Sequence, residues 1–280
     1  MLDRSLRPPI VVPLISLPAQ YDLAIRDLVR GVLNWRMWGR LGWQETKRRY
    51  RRTVIGPFWT TVSLGIFVLT LGLLWAQLWK QVPATYLPFL TSGMLSWVLV
   101  STLITEGCSV FTSGENLIKS LRFDYTILTC AVIWRNLLVL LHNFIIFIAV
   151  MIYAGVPVTW SSLLVVPGLL LISINAVWVI TLLGLLCARF RDVQQVTTSV
   201  LQVAMFVTPI FWAPDQLGPR FTKIVDFNIL FHFVEIIRAP LLGRAPSLWT
   251  YVIVGVCTLL GGGLTLLVYS RFRRRLAYWL

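Results

Sequence analysis

Long apolar runs separated by short basic segments organise this chain. Between Arg135 and Arg189 there is no Asp, Glu, Lys or Arg. A helix that is apolar all round has no face to give to water, and a bilayer crossing needs about 20 such residues. The runs predict six crossings, at about Gly56–Leu78, Leu87–Cys108, Arg135–Ala154, Leu163–Ala188, Val193–Phe211 and Leu248–Tyr269. Gly155, Pro157 and the pair Ser161–Ser162 predict a tight turn between the third and fourth. The expected fold class is an all-α integral membrane protein, because helices satisfy their own backbone polar groups in lipid.

Two segments read differently. In residues 21–38, Ile25, Leu28, Val29, Val32 and Trp35 recur at helical spacing, while Arg26, Asp27, Arg30 and Asn34 lie elsewhere on the wheel. This predicts an amphipathic helix lying in the membrane interface. The basic run Lys47–Arg52 follows, and Pro57 suits the first turn of the first crossing. Residues 213–246 are long for an external connection, yet Phe227, Leu230, Phe231, Val234, Ile237 and Leu241 form an apolar stripe interrupted by His232, Glu235 and Arg238. With Pro214, Pro219 and Pro240 as bounds, the pattern predicts two short helices re-entering the membrane from outside. A helix lying flat on the outer surface is the competing reading. The layout is then an N-terminal extension (1–20), an interfacial segment (21–53) and a six-span domain (54–280). The extension is Pro-rich over Arg7–Pro18 and suggests no function; Ile10–Leu17 is too short and Pro-punctuated for a cleavable signal.

Composition agrees with a membrane protein: 57% of residues are hydrophobic and mean hydropathy is +0.77. A net charge of +14 would suggest nucleic acid in a soluble chain. Here the charge follows topology instead. Five of the 25 Lys and Arg residues (Lys80, Arg220, Lys223, Arg238 and Arg244) fall on one side of the six crossings, and the rest fall on the side holding both termini. Basic loops stay inside, so both termini are expected in the cytoplasm. The 13 Trp residues fit interfacial anchoring. Cys108, Cys130, Cys187 and Cys257 show no ligand spacing and read as small apolar side chains.

Polar residues within the crossings carry the candidate chemistry. Thr60, Ser63, Phe67, Thr70, Leu74 and Gln77 follow a three-four spacing in the first, and Gln195, Thr198, Gln202, Met205 and Pro209 repeat it in the fifth. Polar groups facing lipid are costly, so these stripes are expected to face protein or an aqueous route. Helix–helix hydrogen bonding and path lining are both open for them. Hydroxyls, amides and aromatics without charge suit a neutral polar substrate such as sugar. Glu106 lies inside the second crossing and Arg135 begins the third; a hairpin brings them to similar depth and predicts a salt bridge. His142 and Asn143 continue polar faces beyond Arg135 and Asn136, and read as hydrogen-bonding groups.

Three stretches in this order resemble the membrane (permease) subunit of bacterial polysaccharide-exporting ABC transporters, the O-antigen and capsule type. They are Arg49-Tyr50-Arg51-Arg52-Thr53-Val54-Ile55-Gly56-Pro57-Phe58-Trp59, then Phe190-Arg191-Asp192-Val193 with Pro209-Ile210-Phe211-Trp212, then Phe272-Arg273-Arg274-Arg275-Leu276-Ala277-Tyr278-Trp279-Leu280. Trp134-Arg135-Asn136 with His142-Asn143 looks like a subgroup of that family. The resemblance implies a homodimer in the inner membrane joined by two copies of an ABC ATPase subunit, which would hold ATP and Mg. It implies that the first and fifth crossings line a wide channel (Thr60, Ser63, Phe67, Thr70 and Gln77 with Gln195, Thr198, Gln202 and Met205). It further implies that segment 114–125, with Glu115, Asn116, Lys119, Leu121, Arg122 and Phe123, docks on the ATPase, that the interfacial helix is a cytoplasmic gate, and that 213–246 holds external gate helices. The substrate implied is a lipid-linked glycan.

Transport is the function these features favour, with ATP bound elsewhere because the chain has no Gly-Lys-Ser/Thr phosphate loop. An exporter of teichoic acid, lipid or drug is the same-class alternative. A membrane-embedded glycosyl or lipid-phosphate transferase would need converging carboxylates or His at the interface, and the 11 acidic residues lie mostly in loops with two isolated His. A proton-coupled carrier would need more ionisable residues within its crossings.

Overall fold

The computed structural model describes residues 17–51, 53, 55–56, 58–78, 80–157, 159–214 and 225–280. Most of the N-terminal extension, Pro57 and part of the external segment, including Pro219, lie outside them. The described chain is helical, and five of its helices are long and apolar enough to span a membrane. In chain order the elements are α1 (Leu17–Leu33), α2 (Trp35–Arg49), α3 (Phe58–Leu78), α4 (Pro83–Cys108), α5 (Val110–Ser113), α6 (Glu115–Ser120), α7 (Thr126–Ala154), α8 (Val165–Arg189), α9 (Asp192–Val207), α10 (Ile229–Leu241), α11 (Leu248–Phe272) and α12 (Leu276–Trp279). The five long ones are α3, α4, α7, α8 and α11.

Helix α4 is the axis of the bundle. Buried residues make up 72% of its central stretch, against 17–39% for the other four long helices. Small residues let its neighbours close in: a Cβ added at Gly107 would lie 3.1 Å from the Ile180 Cα of α8. The outer faces of α7, α8 and α11 carry exposed Ile152, Leu170 and Leu259, an apolar surface that suits lipid.

The boundaries differ from the pattern in instructive ways. The amphipathic segment is two helices, broken at Asn34. Asp27 is not on a solvated face; it is 1% exposed, because the face holding Ala24, Asp27 and Gly31 packs on α7 and α11. The third crossing begins at Thr126 rather than Arg135, which places Arg135 more than two turns inside α7. Gly155, in the left-handed conformation (φ +65°), ends that helix and gives its N–H to the carbonyls of Met151 and Ile152.

The expected fifth crossing is α9, a 16-residue helix. At 1.5 Å per residue it is about 24 Å long, short of a hydrocarbon core of about 30 Å. It stops because Pro209 disfavours helical geometry at the residue before it, and Thr208 is extended (ψ 134°). Of the two short helices expected in 213–246, one lies wholly within the described residues as the 13-residue α10, and residues 225–226 ahead of it are also helical.

Candidate functional site

Helix α3 turns Thr61, Leu64, Gly65, Val68, Gly72 and Ala76 into the bundle. Ser63, Phe67, Thr70 and Gln77 therefore fall on its exposed side, with Thr60 half-buried beside them. Helix α9 buries Leu201 alone among its residues. Its Gln195 and Gln202 are exposed, and Thr198 and Met205 are half-buried. The Thr198 hydroxyl donates to the Gln194 carbonyl of its own helix at 3.0 Å. Both helices pack on α4, and the Trp75 ring of α3 stacks on Phe211, just past the end of α9, at 6.5 Å. Two polar faces thus stand on helices that share one neighbour, both turned away from the core of their own chain.

At the end of the bundle where α1 and α2 pack, charges converge. Arg135 Nη2 meets Glu106 Oε2 at 2.8 Å, and Arg135 Nε donates to the same oxygen at 3.2 Å. Three partners join that sequence reasoning did not find: Arg49 pairs with the other Glu106 oxygen at 2.8 Å, Asn136 Nδ2 donates to Glu106 at 2.8 Å, and Glu45 pairs with Arg135. The cluster ties α2 to α4 and α7. One carboxylate spacing could have hinted at it: Glu45 falls beside Gly42 and Thr46, the small and buried residues of α2.

Asp27 forms a second junction. Its carboxylate accepts from the backbone N–H of Tyr125 (3.2 Å) and Thr126 (3.1 Å), from the Thr126 hydroxyl (2.8 Å) and from Arg273 Nε (2.6 Å). It caps the N-terminus of α7 from a different helix, where negative charge is favourable. The Arg273 guanidinium also lies 5.0 Å from the Tyr125 ring centre. The middle of α1 and the end of α11 are thereby held at the same end of the bundle.

The segment 114–125 lies at this end too. Glu115 and Lys119 pair along α6, Asn116 and Arg122 are exposed, and Leu121 is 55% exposed. Phe123 is half-buried and meets the Tyr125 ring edge-on at 5.8 Å. Partial burial, then the neighbouring Asp27 carboxylate, raises the Asp124 carboxyl above its ordinary range.

At the opposite end, α10 lies across α4, α8 and α11. Gly168 of α8 permits this: a Cβ there would come within 2.8 Å of the Ile236 carbonyl. His232 is satisfied by Thr250 and the Asp226 carbonyl. His142 contacts the Leu138 carbonyl, and Asn143 accepts from the Thr61 hydroxyl at 3.1 Å, joining α7 to α3. The four cysteines are free.

Residues 37–242, from α2 through α10, match the family model described as ABC-2 type transporter. The chain belongs to the ABC-2 type transporter family. Among its relatives is the O-antigen export system permease protein RfbA of Myxococcus xanthus, 27% identical over 60% of this chain and 65% of that protein. Two RfbA proteins of Klebsiella pneumoniae are 20% and 21% identical, over 67% and 77% of this chain and 73% and 81% of theirs. The alignment therefore spans slightly less than two thirds of the Myxococcus protein. An ABC-2 type chain with five long apolar helices is a multi-pass membrane protein, and the relatives it matches are transport permeases.

Proposed function

We propose that this ABC-2 type chain is the channel-forming membrane subunit of an ATP-driven exporter that moves a lipid-linked polysaccharide, of O-antigen or capsule kind, outward across a bacterial inner membrane. The observation that carries the reading is the pair of exposed polar faces on α3 and α9. A second copy of the chain would cover them and enclose a path lined by hydroxyls, amides and aromatic faces. Such groups form exchangeable hydrogen bonds and stack on sugar rings, and nothing in the stripes binds strongly enough to stall a moving glycan. The names of the relatives supply the substrate class.

In this reading α9 completes a six-crossing layout despite its length, and α10 is re-entrant from outside. The junction of Asp27 with Arg273 supports both termini on one side, and the charge asymmetry makes that side the cytoplasm. The segment 114–125 docks on a separate ATPase subunit, two copies of which bind ATP and Mg. The exposed Leu121 is its natural contact. The membrane subunit supplies no catalytic residue.

The test is reconstitution. The chain is purified with its partner ATPase, inserted in liposomes and given a radiolabelled polyprenyl-linked glycan. Protection of the glycan from an external glycosidase, arising in proportion to ATP hydrolysed, is the expected result. Hydrolysis with no glycan movement, while a lipid or drug probe is moved, would overturn the substrate assignment.

A further inference from the structure

The short turn that ends α9 is held more tightly than its position at the edge of the bundle requires. Thr208, Pro209, Ile210 and Phe211 are all buried. Three helices grip them. From α4, the Tyr86 hydroxyl donates to the Phe211 carbonyl at 2.6 Å. From α3, Trp75 stacks on the Phe211 ring, the planes inclined by 18°. From α10, Arg238 Nη1 donates to the Pro209 carbonyl at 2.5 Å. Asn228, at the start of α10, donates to the Thr208 hydroxyl at 3.1 Å.

Arg238 is the unusual member. Its side chain is 2% exposed, a costly place for a cation. Glu235, one turn earlier, takes Nε at 2.7 Å and also pairs with Nη2. The Phe89 ring of α4 lies 4.6 Å from the guanidinium carbon and Phe231 lies 5.7 Å away, both within cation–π range. Packing alone would be served by a Leu or Met at this site. What a guanidinium adds is a directed bond to a backbone carbonyl that lies beyond the last residue of α9. Past the end of α9 a carbonyl is outside the helical ladder, and a donor from α10 that reaches it ties the two elements together.

We propose that Arg238 is a positioning residue that latches α10 to the outer end of α9, and through Phe211 to α3, so that the outer mouth of the path is closed at rest. The inference rests on the path reading above. The three elements meet at one turn, and α9 cannot separate from α10 while the bond from Arg238 to Pro209 holds. Release of that bond leaves, among the described residues, only the Asn228–Thr208 hydrogen bond between α10 and the end of α9. Glu235 and the two rings hold the guanidinium oriented when it lets go.

The experiment uses the complex with its ATPase in liposomes, with Gln202→Cys as reporter in a background whose four native cysteines are replaced. The vesicles are those with the ATPase in the lumen, loaded with or without ATP and glycan, and a water-soluble, membrane-impermeant maleimide is added outside, where the outer mouth opens. In the parent, labelling is expected during turnover and little at rest. Arg238→Gln should raise resting labelling about tenfold, equivalent to about 1.4 kcal/mol on the closed-to-open equilibrium, with ATP hydrolysis retained. Tyr86→Phe, which removes one hydroxyl and no charge, should raise it by less, and Arg238→Lys should restore much of the closure. Resting labelling that stays at the parent level in folded Arg238→Gln and Tyr86→Phe proteins would overturn the latch. If the parent itself is never labelled in turnover, the path reading fails, a separate outcome.

Discussion

Glu106 of α4 and Arg135 of α7 meet at 2.8 Å, with side chains 16% and 15% exposed. Neither is alone: Arg49, Asn136 and Glu45 complete the cluster, and two of its members come from α2. The pair thus does more than join two spanning helices. It fastens the segment that precedes the first crossing onto the bundle.

Glu106→Gln removes the carboxylate shared by two arginines and an amide. Hydrogen bonds to charged groups contribute about 1.5–3 kcal/mol each, and Arg135 keeps Glu45, so a loss of about 2 kcal/mol is expected. The double change with Arg135→Gln should cost less than the two single changes summed. Thermal unfolding of the purified protein measures this, and strict additivity would mean the contact contributes nothing.

Asp27→Ala strips the cap from α7 and leaves Arg273 without its carboxylate. A loss of about 2 kcal/mol is expected, and α1 should come away from the bundle first. Limited proteolysis should then cut near Asn34 faster than in the parent, while sites beyond α3 remain protected. Uniform acceleration throughout the chain would contradict a local role.

The docking assignment is best tested at Leu121, because Phe123 packs on Tyr125 and its replacement would disturb the fold. Leu121→Asp should leave folding and basal ATP hydrolysis intact and cut export per ATP by about tenfold or more, as expected for loss of an interface anchor contributing about 2 kcal/mol. Normal export would move the contact elsewhere.

The long crossings were legible in the chain because uninterrupted apolar runs leave few alternatives. The meeting of Glu106 and Arg135 was legible because each stood out against such a run. Asp27 and Glu45 were not. On a helical wheel they fall in with residues that look solvated, and their partners lie about 90 residues or more away in sequence. What marks them is the company they keep: Ala24 and Gly31 flank Asp27 on one face, and Gly42 and Thr46 flank Glu45. Small residues at that spacing signal close helix packing, so a charge among them signals a partner. The shortness of α9 was hidden because apolar residues continue past Pro209, and the burial of Arg238 because α10 also reads as a surface helix.

The central claim is that the polar faces of α3 and α9 line the route taken by the substrate. Single cysteines at Thr70, Thr198 and Gln202, in a background without the native four, should react with a water-soluble thiol reagent during turnover. Cysteines at Leu259 and Leu264, on the exposed apolar face of α11, should not react. A bulky sugar-sized reagent at Thr70 or Gln202 should then block export. Equal reaction at both sets, or undiminished export after the stripe positions are modified, would contradict the claim and leave those faces as packing seams.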